Sequence, residues 1–118
     1  AVAGADEVLP LQEEVTRVHV DPAVKEYLLA LIKATREEPK LRVGVSPRGS
    51  LALYRCSQAL AALRGRDYVT PEDIKETAAP VFRQRMLLAP DALVRGVTAD
   101  RIIESILDST PVPEYRGI

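Results

Sequence analysis

Apolar residues recur at helical spacing along most of the chain. From residue 21 to 36, Val24, Tyr27, Leu28, Leu31, Ile32 and Thr35 share one face, behind an Asp21-Pro22 pair that suits a helix cap and first position. Glu37-Glu38-Pro39-Lys40 ends this helix, because the residue before a proline is pushed out of the helical region. Ser46-Pro47 opens a second run to residue 64, with Leu53, Cys56, Leu60 and Leu63 as its expected inward stripe and Ala52, Ala59, Ala61 and Ala62 allowing close approach of neighbours. Gly65 supplies a left-handed stop. Thr70-Pro71-Glu72-Asp73 then carries a capping-box pattern, and Ile74, Ala78, Val81, Phe82 and Met86 form the apolar face that follows. Pro80 lies inside this run and is expected to kink or divide it. Thr98 caps a last helix through Ile102, Ile103, Ile106 and Leu107, stopped by Pro111-Val112-Pro113.

The remaining stretches are shorter or less regular. Val8, Leu11, Val15 and Val18 follow helical spacing across residues 6–17, and Val18-His19-Val20 alternates as an extended link. Residues 41–45 read as a short apolar connection, and residues 87–96 as a loop with a turn around Asp91. No strand of convincing length stands out. The fold class is therefore all-α, a small bundle of four to five helices in one domain spanning 1–118, with a flexible start at 1–5 and a flexible tail at 111–118. The start at Ala1, without an initiator Met, fits a piece of a longer protein or a processed terminus.

Composition narrows the function mainly by exclusion. Apolar residues at 47% and charged residues at 28% give an ordinary globular balance, and a net charge of -1 argues against a dedicated nucleic-acid surface. The single Cys56 rules out an internal disulfide and reads as a buried, inert thiol. His19 is the one histidine and has no acidic or thiol cluster beside it in sequence, so neither a metal site nor a Ser/His/Asp triad is expected. Glu13-Glu14, Glu37-Glu38 and Glu72-Asp73 fall at helix ends, where solvation and dipole complement explain them. A phosphate-cradling glycine loop and a dinucleotide fingerprint are both missing. Without a signal peptide or a membrane-length apolar run, the chain is expected to be intracellular, in the cytoplasm, and not inserted in a membrane.

One position runs against local electrostatics. Arg48 falls in the first turn of the helix that Ser46 caps, beside unpaired N–H groups and the positive end of the helix dipole. A cation there either points into solvent or meets an incoming anion such as a phosphate. Arg outnumbers Lys twelve to four, a ratio that suits planar contacts to phosphate or carboxylate but that genome composition explains equally.

Several of these segments together resemble a known family. Thr35-Arg36, the Gly44-Val45-Ser46-Pro47-Arg48 turn, the run Ala61-Ala62-Leu63-Arg64-Gly65-Arg66-Asp67-Tyr68-Val69-Thr70-Pro71-Glu72-Asp73-Ile74, and Val81-Phe82-Arg83-Gln84-Arg85 occur in one order. They resemble the C-terminal lid of MoxR family AAA+ ATPases, related to the lid of magnesium chelatase ATPase subunits. The family commonly has Ala where Val45 and Gly49 stand and His where Gln84 stands. The resemblance implies a lid that closes over ATP held by a separate core domain, which also binds Mg2+. By motif it makes Arg48 the second-sensor, catalytic arginine, and Ser46, Pro47 and Arg48 the nucleotide-binding residues. The partners it implies are the chain's own ATPase core, neighbouring subunits of a ring and a client protein to be remodelled. Thr35-Arg36 and Arg66-Asp67 are read as structural, Arg36 complementing a helix C-terminus and Arg66-Asp67 fixing a turn. The other reading left by the residues is a histone-fold-like or adaptor module that binds a protein through its helical faces.

Overall fold

The computed structural model describes residues 17–114. The helix expected over 6–17 falls, except for its last residue, outside the described residues. Helix α1, Pro22–Glu37, is capped by Asp21, whose carboxylate accepts from the Ala23 amide at 2.9 Å. Its buried face is Val24, Tyr27, Leu28, Leu31, Ile32 and Thr35, the six residues expected from spacing. The chain then forms strand β1, Leu41–Val43, and helix α2, Pro47–Leu63. Gly65 turns it at φ 74° into helix α3, Pro71–Arg83. Strand β2, Leu87–Leu88, helix α4, Pro90–Val94, and helix α5, Ala99–Ser109, complete the order.

The fold is a helical bundle, and α2 against α3 is its most extensive helix pair. Phe82, Leu31, Leu53, Ile74 and Ile103 are fully buried at its centre. Upstream of α1, His19 bridges in parallel to Tyr68: its amide donates to Asp67 O at 2.8 Å, and its carbonyl accepts from Val69 N at 2.9 Å. That extended link was expected from the alternation of Val18 and Val20.

Four expectations are corrected. β1 and β2 pair antiparallel, Leu41 with Leu88 and Val43 with Leu87, so a two-stranded sheet replaces the expected connection and part of the expected loop. The strands hold three and two residues, too few for alternation to show in sequence. Second, residues 90–94 form a helix, because Pro90 starts it and the Gly96 turn, at φ 78°, ends it. Third, Pro80 does not divide α3, which continues through it and ends three residues later. Pro80 removes the helical donor to the Glu76 carbonyl, and both residues lie on the exposed side of the helix.

The fourth correction concerns which face of α2 points inward. Leu53 is buried as expected, but Cys56 is exposed, Leu60 half-buried and Leu63 85% exposed. The inward face is Gly49, Leu53, Ser57, Gln58 and Ala61, about one residue step around the axis from the expected stripe. Two polar residues hold that face because each finds partners. Ser57 Oγ donates to Leu53 O at 2.8 Å and lies 3.1 Å from Thr77 Oγ1, and Gln58 Nε2 donates to Val18 O at 2.9 Å. Burial is tolerable once such groups are paired.

Candidate functional site

The turn that carries Arg48 is held from α1. Thr35, fully buried, donates its hydroxyl to Ile32 O at 2.7 Å and accepts from Val45 N at 3.0 Å. Arg36 Nε donates to Val45 O at 3.1 Å. Both backbone groups of Val45 are therefore bound to the end of α1, and its side chain is fully buried. Gly44 allows this approach: a Cβ there would stand 2.7 Å from Thr35 O and 2.8 Å from Arg36 Cα. Arg36 thus does more than complement the helix end. The signal in the sequence was Thr35, a hydroxyl at the end of an otherwise apolar stripe.

From this anchor α2 begins as its residues dictate. Ser46 is in extended conformation, and its hydroxyl accepts from Gly49 N at 3.3 Å. Pro47 occupies the first helical position, and Ser50 N donates to Ser46 O at 3.0 Å. The Arg48 amide has no partner among the described residues, nor does its guanidinium, which sits on an exposed residue. Ser46, Pro47 and Arg48 are thus brought together on one exposed turn, with Ser46 occupied as the cap. An open amide and an open guanidinium at the positive end of a helix can together meet an anion. Beside this turn an apolar groove of about 290 Å³ runs between α1 and α2, lined by Leu28, Leu29, Leu51 and Tyr54.

The other arginines of the sequence motifs divide into two groups. Arg66 makes a bidentate contact to Asp73 at 2.6 Å through each terminal nitrogen and donates to Tyr68 O at 3.1 Å. Arg64 reaches the same carboxylate at 3.1 Å and also pairs with Glu76. Arg83 binds Asp100 at 2.7 and 2.8 Å. These three are structural by contact. Arg85 instead donates to Val81 O at 3.3 Å and lays its stem over Gly49, next to Arg48.

Asp73 is the electrostatic centre of the α2–α3 junction. It is fully buried, and it closes the capping box by accepting from Thr70 N at 2.8 Å. Burial pushes its pKa up, but hydrogen bonds from Arg66 and Thr70 and the Arg66 charge outweigh burial and hold it below the usual carboxylate value. Among the described residues no three His, Cys, Asp or Glu side chains gather as metal ligands, and no helix is long and apolar enough to cross a membrane.

Comparison with known proteins follows the same segments. The family described as AAA lid domain matches residues 33–106. The uncharacterized protein YeaC of Bacillus subtilis is 40% identical over 116 residues, 98% of this chain and 36% of that protein. The chaperone MoxR1 of Mycobacterium tuberculosis is 30% identical over 99% of this chain and 33% of its own length, and the protein MoxR of Paracoccus denitrificans 32% identical over 80% and 32%. A crystal structure of a protein from Cytophaga hutchinsonii, provisionally assigned as an ATPase, superposes with a TM-score of 0.86 at 31% identity, covering 92% of this chain and 36% of that one. The chain spans about a third of the length of the relatives it matches.

Proposed function

This chain belongs to the AAA lid domain family, with MoxR proteins among its relatives, and from that premise we propose that it closes over ATP bound to a separate core domain. Arg48 is the residue that reaches the nucleotide, as the second sensor. The observation that carries this reading is the Val45–Arg48 turn: a backbone clamped by Thr35 and Arg36 presents a guanidinium that nothing among the described residues neutralises. Pre-positioned charge of this kind acts on phosphates without reorganising as the reaction proceeds. Magnesium would be held by the core domain, and the chain's own contribution is to orient Arg48 and exclude water as the lid closes. In the whole protein, lid motion couples ATP hydrolysis to chaperone-like remodelling of a client within a cytoplasmic ring of subunits. The family match across residues 33–106 disfavours a histone-like or adaptor module.

Two measurements test the reading. Purified chain alone should release no phosphate from ATP, since no phosphate-binding loop is present in its sequence. Steady release that disappears with Arg48→Ala would contradict this. In the full-length protein, Arg48→Ala should slow ATP turnover by about one to two powers of ten, the worth of a charge-assisted hydrogen bond. Arg48→Lys should restore part of it, keeping the charge and losing the planar fork. The lid should stay folded in both variants, because Arg48 has no structural partner among the described residues. Unchanged turnover of Arg48→Ala would end the second-sensor assignment.

A further inference from the structure

We infer that Arg85 is a positioning residue for Arg48, setting the direction in which the sensor arginine leaves its turn; the inference rests on the reading of Arg48 above. Arg85 stands two residues past the end of α3, after Gln84, and its amide donates to the carbonyl of fully buried Phe82 at 2.8 Å. Its Nη1 donates to Val81 O at 3.3 Å. Backbone and guanidinium are thus both tied to the last turn of α3. Between these two ties the stem crosses the first turn of α2: a Cβ on Gly49 would stand 2.9 Å from Arg85 Cδ and 3.6 Å from Nε. Val45 Cγ1 occupies the same space at 2.4 Å, so position 49 is glycine because Arg85 and Val45 fill the room a side chain would need.

The charge environment gives this contact a consequence. Arg83, two residues earlier, spends its charge on Asp100, and Arg64 and Arg66 spend theirs on Asp73. Arg85 has no carboxylate within ion-pair distance among the described residues, and neither has Arg48 or Arg36. Three arginines therefore meet at the Val45–Gly49 turn, Arg36 from α1, Arg85 from just past α3 and Arg48 from the turn itself. The helix end adds partial positive charge. The like charge of Arg85 beside Gly49 opposes any folding of Arg48 back across the turn and favours an outward direction, where an anion would meet it. Arg85 acts through Arg48, and it ties the α3–β2 junction to the sensor.

A double-mutant cycle in the full-length protein tests this, read as affinity for a fluorescent ATP analogue and as ATP turnover, with the melting temperature of each variant. Arg85→Ala should weaken affinity or turnover by about tenfold, a scale usual for coupled neighbours, with little change in melting. Combined with Arg48→Ala it should cost nothing further, since a residue that works through Arg48 has nothing left to position. Arg85→Lys should recover most of the loss, whereas Arg85→Met, which keeps the stem without the charge, should not. Fully additive losses, rescue by methionine, a melting loss that accounts for the activity loss, or no effect of Arg85→Ala would each overturn the inference. If Arg48→Ala itself changes nothing, the sensor reading fails; if only Arg85→Ala is silent, the sensor stands and the positioning role alone falls.

Discussion

Replacing Asp73 by alanine is expected to destabilise the domain by about 3 kcal/mol or more, the penalty for removing one partner of a buried ion pair. The carboxylate is fully buried, while Arg66 and Arg64 keep 23% and 40% of their side-chain surface exposed. Their partial access to water puts the cost near the lower end of the range for such pairs, because a stranded arginine can still be hydrated. The same substitution also removes the acceptor for Thr70 N, so α3 loses half of its capping box. A small domain is stable by only about 5–15 kcal/mol, so this one change takes a large share. Arg64→Ala should cost far less, within about 1 kcal/mol, because Arg64 is the more exposed partner and Arg66 retains the bidentate contact. Denaturant titration of the three proteins checks the order. A loss for Asp73→Ala no larger than for Arg64→Ala would mean that the junction is not organised on this carboxylate.

The same group fixes a pH dependence and its sign. The Asp73 pKa lies below its ordinary value in the folded protein, so the unfolded chain binds the proton more readily. Its contribution to stability is therefore fully present above about pH 4, the ordinary aspartate range, and is lost as pH falls through the lower folded value. Acid unfolding of the parent should show this loss, and Asp73→Asn should flatten that part of the curve. An Asp73→Asn protein with the parent's acid slope would assign the loss to other carboxylates.

Where local signals agreed, the sequence was readable in detail. α1 has a capping residue, proline at the first position, one apolar period and a proline-enforced stop, and every residue of its inward face was foreseeable. The capping box of Thr70 and Asp73 was legible too, because both members lie within one turn. The convergence of Arg64 and Arg66 on Asp73 was not, since it depends on how α2 turns into α3. Arg85 and Gly49 meet only through helix packing, and neither residue type announces the other. The Ser46-Pro47-Arg48 turn was visible as a helix start with a misplaced cation; its clamp by Thr35 and Arg36 needed the fold.

The face of α2 was misjudged for a different reason, and it gives the other large expected effect. Hydrophobicity alone favoured Leu53, Cys56, Leu60 and Leu63, because Ser57 and Gln58 look like surface residues. The core accepts both, since Val18 O, Leu53 O and Thr77 satisfy them, and that acceptance rotates the helix. Leu53 belongs to both faces and is fully buried, so Leu53→Ala should cost about 2–5 kcal/mol. For a domain of this size that is a fall in melting temperature of about 10 °C or more. Leu63, at 85% exposure, should tolerate alanine within about 0.5 kcal/mol. Gln58→Ala separates the two faces further: it strands the Val18 carbonyl and should cost about 1–3 kcal/mol, although glutamine is polar. All three are to be made in this chain and melted under one condition. If Leu63→Ala proves as costly as Leu53→Ala and Gln58→Ala is neutral, the helix presents its leucine stripe inward, and Ser57 and Gln58 belong to the surface.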